Sequence, residues 1–190
     1  MLKSKGQRCL HSHLHLAFSL SQPVRVLAID PALRNTGWAV LERRGKENRA
    51  IAWGIIRNAP ALRQSQCLVA IMKAIRAIIA EHRPQSCAIE STIYVQTFKT
   101  AITLGAARAA CLMAPAEAEL EICEYPPRRV KQAVVGRGAA DKAQVAFMVR
   151  ALLKLTETPA HDAADALAVG IAHLESTDPG SPWQREKQIV

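Results

Sequence analysis

Four acidic residues lie at positions where their carboxylates could act together. Asp30 ends the apolar run VRVLAI and Glu90 ends the run SCAI, so each closes a predicted strand. Asp162 and Asp165 are three residues apart, which places them on one face of a predicted helix. Singly, each acid could instead form a turn, a solvated strand end or a favourable charge in a first helical turn. Together they would repel one another unless a divalent ion neutralised them, and Mg²⁺, or Mn²⁺ in its place, suits carboxylate oxygens.

Basic residues are concentrated in the neighbouring stretch of the chain. Residues 127–154 contain seven Lys and Arg and one acid, whereas residues 155–182 contain five acids and no Lys or Arg. Cations that bind phosphates beside acids that bind metal indicate hydrolysis of a phosphodiester bond in a polyanion. An ordinary solvated surface is the alternative explanation of the basic run. The candidate nucleic-acid contacts in it are Arg128, Arg129, Lys131, Arg137 and Lys142.

Composition limits the class of protein. The chain has 190 residues, 49% of them apolar, which allows one globular domain and excludes a largely disordered chain. Its net charge of +9 is compatible with a polyanionic partner. No run is long and apolar enough for a membrane span, and the five cysteines form no CxxC pair. We therefore expect a soluble, cytoplasmic protein with reduced thiols.

Hydrophobic periodicity predicts an α/β fold with a mixed sheet. The boundaries suggest an extension at 1–23, expected to be disordered, a domain at 24–175 and a tail at 176–190. Cys9 and three histidines in the extension could ligate a metal, but they lack the apolar company that a rigid site needs. A basic loop is expected at 126–138. Strands are predicted at 24–30, 38–44, 51–57, 86–90 and 119–125, and helices around 68–79, 98–113, 139–155 and 160–174.

Several of these segments together resemble a known family. AIDPALRNTGWAV, AIESTIY, LGAARAA, RRVKQAVVGRGAADKAQVAFMVRALLKL and HDAADALAVGIAH, in this order and at these distances, are similar to the RuvC family of bacterial Holliday-junction resolvases. The resemblance covers residues 26–173 and implies an RNase H-like fold, a five-stranded mixed sheet flanked by helices. It also implies a homodimeric, Mg²⁺-dependent endonuclease of DNA recombination and repair. Such an enzyme nicks two opposing strands of a four-way DNA junction symmetrically and leaves 5′-phosphate and 3′-hydroxyl ends.

The resemblance also assigns roles to residues of this sequence. The catalytic, metal-binding acids of the family, expected to hold two ions, fall on Asp30, Glu90, Asp162 and Asp165, and its junction-binding lysines fall on Lys131 and Lys142. The RuvA and RuvB branch-migration proteins are expected partners. The sequence departs from the family pattern at Ala32, where a glycine is usual. It departs again at Ile93, where an aromatic is frequent; the adjacent Tyr94 is the candidate for base stacking.

Alternatives to this function remain open at the level of sequence. The pattern IDPALRNTG also resembles the phosphate loop of actin-like kinases and ATPases, although those folds need two lobes. Another RNase H-like nuclease acting on branched DNA or RNA, and a non-catalytic junction-binding protein, are further possibilities. Small residues at 104–113 suggest either a dimer interface or close packing within the domain. Core packing is the alternative to nucleic-acid contact for Tyr94 and Phe98.

Overall fold

The computed structural model describes residues 23–91, 97–178 and 188–190. Three expectations lie outside these residues. They are the disorder of residues 1–22, the metal-binding potential of Cys9 and its neighbouring histidines, and the role of Ile93 and Tyr94. None of the described helices is long and apolar enough to cross a membrane.

The strands form one mixed sheet. The three N-terminal strands, β1 (Val24–Asp30), β2 (Asn35–Arg44) and β3 (Glu47–Arg57), make an antiparallel meander, and β4 (Ser86–Glu90) and β5 (Glu121–Tyr125) then run parallel to β1. This arrangement confirms the predicted five-stranded mixed sheet; a further two-residue strand, β6, pairs antiparallel with β5. The residues of β6 belong to the segment that was expected to be a C-terminal tail. In the spatial order of the sheet, the strands are β3 (Glu47–Arg57), β2 (Asn35–Arg44), β1 (Val24–Asp30), β4 (Ser86–Glu90), β5 (Glu121–Tyr125) and β6 (Gln188–Ile189).

Helices cover both faces of the sheet, as buried strands require. Two of them enclose one core with Leu27, Ile29 and Ile89, and three enclose the other with Ala28, Leu41 and the apolar residues of the last helix. That last helix, α5, has 12 of its 17 residues buried. The helices are α1 (Gln64–His82), α2 (Phe98–Glu117), α3 (Pro127–Val135), α4 (Lys142–Leu152) and α5 (His161–Thr177).

The prediction of a basic loop at 126–138 is wrong, because most of this segment forms helix α3 (Pro127–Val135). Pro127 stands at the first helical position, where a missing N–H carries no penalty. Val130 and Val134 are four residues apart and bury one face, and Gly136 ends the helix with a φ of 79°. The many charged residues made this short amphipathic pattern hard to recognise in the sequence. Because the segment is a helix, the position of each basic residue around its axis sets the side to which its side chain points.

Two other helix boundaries also differ from expectation. α2 continues past residue 113 to Glu117 with Pro115 inside it. α4 is shorter than predicted, since Asp141 caps its N-terminus and Leu152, expected on the apolar face, is exposed. Ala32 does not adopt a positive φ, so the backbone there does not need the glycine that is usual in the family.

Candidate active site

Two parallel strands bring the first pair of acids together. In β1 the residues Val26 to Ile29 are fully buried, and the strand ends at Asp30, which is half-buried and followed by Pro31. β4 repeats this pattern and ends at Glu90. Because Ile29 pairs with Ile89 in a parallel ladder, both carboxyl groups emerge at the same edge of the sheet.

Helix α5 brings the second pair of acids to this edge. It packs across β1 and β2, and its N-terminal turn lies against Gly37 at the start of β2. A Cβ atom at Gly37 would collide with the carbonyl oxygen of Asp162, so only glycine allows this close approach. This contact fixes how closely the turn that carries Asp162 and Asp165 approaches the sheet.

Three of the four acids and two lysines line a single cavity. Asp30, Glu90 and Asp165 line a cavity of about 280 Å³ together with Lys131 and Lys142. These residues come from five different elements. Asp162 does not line this cavity, although its charge acts on Asp30. The remaining wall is Pro127, Val130, Val145 and Ala168.

Two carboxyl groups in this cavity, those of Asp30 and Glu90, have raised pKa values. Burial raises the pKa of Asp30 to about 8, and the negative charges of Glu90, Asp165 and Asp162 contribute to the rise. Burial also raises the pKa of Glu90, followed by the charge of Asp165. The interaction between these two carboxyl groups contributes further to the raised pKa of Asp30. A proton is therefore held more strongly at this pair than at an isolated carboxyl group.

The lysines partly compensate the negative charge. Lys142 Nζ lies 3.4 Å from Asp165 Oδ2, and this carboxylate is the main reason that the pKa of Lys142 is raised. Lys131 and Lys142 both lower the pKa of Glu90 through their charge. Cations and carboxylates therefore interact across a single small volume.

The donor set fits a divalent cation. Its oxygens are all carboxylate, which is the ligand type of Mg²⁺ and Mn²⁺. In the present arrangement no three His, Cys, Asp or Glu side chains of the described residues are close enough to enclose an ion. Asp165 is instead paired with Lys142, and the pKa values of Asp30 and Glu90 are raised. A cation would take the place of protons bound at Asp30 and Glu90, so the fit requires these two groups to ionise.

The other predicted basic residues do not line this cavity. Arg128 is exposed and lies over Gly138, where a Cβ would collide with its side chain. Arg129 donates a hydrogen bond to Ser176 Oγ at 3.1 Å and so joins α3 to α5. Arg137 is exposed at a separate cavity on α4. The structure therefore separates Lys131 and Lys142 from the rest of the basic run.

A buried polar network, which the sequence did not predict, links helix α5 to strands β4 and β5 next to the site. His173 is buried in α5; its Nδ1 is 3.0 Å from the Tyr125 hydroxyl and its Nε2 is 3.1 Å from Ser86 Oγ. Tyr125 ends β5 immediately before the two prolines that open α3. The network thus ties the strand that leads into α3 to α5. A histidine within an otherwise apolar helix was the available signal.

A larger cavity lies elsewhere, at the β2–β3 turn and the C-terminus of α4. It measures about 800 Å³. Its charged residues are largely paired with one another or with neighbours. Lys154 contacts Glu47 at 3.0 Å, and Arg43 contacts Glu175 at 2.9 Å. Both of these acids of the cavity are therefore already neutralised by cations of the same chain.

The fold and the site together define a class, the RNase H-like nucleases. A sequence model of the RuvC family, described as crossover junction endodeoxyribonuclease RuvC, matches residues 26–173. The chain belongs to the RuvC family, and it is an endonuclease that hydrolyses phosphodiester bonds. Nucleases of this family are metal-dependent as a class.

Individual relatives agree with this assignment. The crossover junction endodeoxyribonuclease RuvC of Akkermansia muciniphila is 52% identical over 167 residues, covering 88% of this chain and 100% of the relative. That of Caulobacter vibrioides is 44% identical over 151 residues, covering 80% of this chain and 89% of the relative.

Solved structures agree as well. Thermus thermophilus RuvC in complex with Holliday junction substrate superposes with a TM-score of 0.80 at 28% identity, covering 88% of this chain and 99% of that one. The yeast mitochondrial Holliday junction resolvase Ydc2 has a TM-score of 0.51 at 13% identity, covering 89% of this chain and 85% of that one, and shares the fold alone.

Proposed function

We propose that this protein resolves Holliday junctions by paired, symmetric nicks in opposing strands, leaving 5′-phosphate and 3′-hydroxyl ends. The observation that carries this proposal is the single cavity lined by Asp30, Glu90, Asp165, Lys131 and Lys142. Acids that suit a divalent ion stand there beside ammonium groups that suit a phosphate. A relative of similar fold, Thermus thermophilus RuvC, has been solved with a Holliday junction as its substrate.

Asp30, Glu90, Asp162 and Asp165 would hold Mg²⁺, with Mn²⁺ as a substitute and two ions in each site. Bound there, the ions supply an activated water and stabilise charge on the leaving oxygen. For this purpose Asp30 and Glu90 must both ionise, since a protonated carboxyl is a poor ligand. We count Asp162 in the set because its charge reaches Asp30.

Lys131 and Lys142 would bind the phosphates that flank the cleaved bond. Their ammonium groups belong to α3 and α4, whereas the acids belong to the sheet and α5. The phosphate is thereby held between two sets of elements. Val130 and Val145 form an apolar wall that limits water around it and strengthens each electrostatic contact. Arg128, Arg129, Arg137 and Tyr94 stay candidates for contact with the junction arms.

A homodimer follows from the need for two symmetric cuts. α2 supports it, because its outward side is apolar. Phe98 is 91% exposed and Ile102 is 71% exposed, and Met113 is exposed further along the helix. The core-packing explanation of Phe98 is therefore wrong. Gly105 and Ala109 lie between these residues and are also exposed, so a second helix could approach closely.

The substrate also defines the cellular setting that we propose. Four-way junctions arise in DNA recombination and repair, and we propose that the protein acts on them in the cytoplasm. RuvA and RuvB, which move such junctions, are the proposed partners there.

Incubation with an immobile four-way junction, with and without Mg²⁺, tests this function. We expect Mg²⁺-dependent nicks at symmetric positions in two opposing strands. Asp30→Asn should abolish the nicks but keep junction affinity, because binding depends on the basic residues. Glu157→Gln, at an exposed acid outside the cavity, is the matched control and should cleave normally.

Other outcomes would contradict the proposal in distinguishable ways. Stronger cleavage of flaps or RNA–DNA hybrids than of junctions would assign another substrate to the same site. Junctions that are bound but stay intact with both Mg²⁺ and Mn²⁺ would indicate a protein that binds junctions without cutting them. Loss of binding in folded Asp30→Asn would show that the acids do not act as assigned.

A further inference from the structure

The outward side of α4 carries an aromatic side chain that the described residues leave largely uncovered. Phe147 is 64% exposed, and a shallow cavity lies on each side of it. The first, of about 370 Å³, includes Val135 and Met148, and the second, of about 270 Å³, includes Ala151 and Leu155. We call Phe147 and these two cavities the α4 outer surface. An exposed ring between apolar depressions can anchor a protein interface.

The α4 outer surface faces away from the carboxylates. Val145 lines the active-site cavity, and Phe147 follows two residues later, which is about 200° around the helix axis. An occupant of this surface therefore does not compete with the strand being cleaved.

The rim of the α4 outer surface is cationic. Arg137 borders the first cavity, and Arg150 and Lys154 border the second. Lys154 is paired with Glu47, but neither arginine pairs with an acidic side chain within the described part of the chain. Asp141, the acid at the first cavity, caps α4 by accepting a backbone N–H. Both guanidinium groups can therefore bind carboxylates from another molecule.

We propose that the α4 outer surface docks an acidic amphipathic segment of a partner protein. Its apolar side chains would enter the cavities beside Phe147, and its carboxylates would pair with Arg137 and Arg150. A DNA duplex fits less well, because its phosphates satisfy the arginines but its backbone has no apolar side chain to fill the cavities. This inference goes beyond the proposed cleavage reaction and does not depend on it.

A synthetic helical peptide of about 16 residues, with leucines on one face and glutamates elsewhere, is the probe. Fluorescence anisotropy should show saturable binding to the full chain, and NMR shifts should centre on α4. Phe147→Ser and Arg150→Glu should each weaken binding by about tenfold, as loss of an interface anchor does. Val69→Ser, at an exposed apolar residue of α1, is the matched control and should bind normally. Junction cleavage by Phe147→Ser should be unchanged.

Three results would overturn the inference. The first is equal peptide binding by Phe147→Ser, Arg150→Glu and the unaltered chain. The second is equal binding of a peptide with lysines in place of the glutamates, since charge would then contribute nothing. The third is competition by a short DNA duplex together with weaker duplex binding by Phe147→Ser, which would assign the surface to a junction arm. Thermal melts of each variant establish that the proteins compared are folded.

Discussion

Asp30 and Glu90 form an arrangement that stabilises neither the fold nor their own charges. Two half-buried carboxyl groups with raised pKa values lie at the edge of the sheet, with a third acid, Asp165, in the same cavity. Residues placed for folding alone would not concentrate like charges where water is limited. The energetic cost is a property that an experiment can detect in the metal-free protein.

At the residue scale, Asp30→Asn should stabilise the metal-free protein at alkaline pH. The pKa of Asp30 rises on folding from 3.8 to about 8, so between these values the folded state keeps a proton that the unfolded state has lost. Stability contributed by this group therefore falls as pH rises from 3.8 towards 8. Thermal melts in EDTA should show little effect of the substitution near pH 4 and a gain in the free energy of unfolding that grows to several kcal/mol near pH 8.

Mg²⁺ provides the complementary measurement. It should raise the melting temperature of the unaltered protein at pH 8 more than that of Asp30→Asn, because the carboxylate is a better ligand than the amide. A difference between the two proteins that stays constant from pH 4 to pH 8 would contradict the raised pKa of Asp30.

At the scale of elements, the position of α5 decides whether its acids reach the sheet edge. Because Gly37 has no side chain, the first turn of α5 can pack closely against β2. Because Gly170 has none, the middle of α5 can pack closely against Leu41 and Ala28. A Cβ at Gly37 would meet backbone, whereas one at Gly170 would meet a Leu41 methyl group that can move. The two glycines therefore have different consequences for the site.

Gly37→Ala should impair cleavage more than Gly170→Ala does. The first substitution displaces the turn that carries Asp162 and Asp165, and the second loosens the core away from the acids. Both should lower stability, by about 1–3 kcal/mol as overpacking does. Cleavage rates at a temperature where both proteins are folded separate the effects. Equal residual activity in the two variants would show that cleavage does not depend on the distance between this turn and the sheet.

The buried network beneath α3 is a second feature at this scale. Tyr125→Phe removes the hydrogen bond to His173 Nδ1, and Ser86→Ala removes the one to Nε2. Each should lower the free energy of unfolding by about 1–3 kcal/mol, because a buried polar atom loses a partner. Urea unfolding of both single variants and the double variant measures the coupling. Strictly additive effects would show that His173 does not link β4 and β5.

At the scale of the whole molecule, two of the apolar surfaces that the described residues expose lie on opposite sides of the sheet. One belongs to α2 and the other is the α4 outer surface. We assign the first to a second copy of the chain and the second to a different partner. The assignments differ because Arg137 and Arg150 border only the second.

Ile102→Glu should convert a dimer into monomers. A charge at this exposed position of α2 would have to be buried in the proposed interface, at a cost of several kcal/mol. Sedimentation at micromolar concentration should show the change, and cleavage should lose its paired, symmetric character. Val69→Glu on α1 is the control and should leave the dimer intact. A monomeric unaltered protein would refute the proposed interface directly.

The sequence by itself determined the strands, the mixed sheet and the four acids. Runs such as VRVLAID carry a local signal, since apolar side chains repeat with the period of an element and an acid stops the run. Two such strands in parallel then place Asp30 and Glu90 at one edge. The long blocks shared with the RuvC family added what periodicity alone could not, namely the reaction.

Only the tertiary structure decided which charges meet. Seven basic residues stand in one stretch of sequence, yet Lys131 and Lys142 reach the acids while Arg129 binds α5 and Arg137 faces outward. The direction of a side chain depends on the helix that carries it, and the charges of α3 concealed that helix. The raised pKa of Asp30 likewise arises from burial and from neighbours remote in sequence, and no local pattern encodes such contacts.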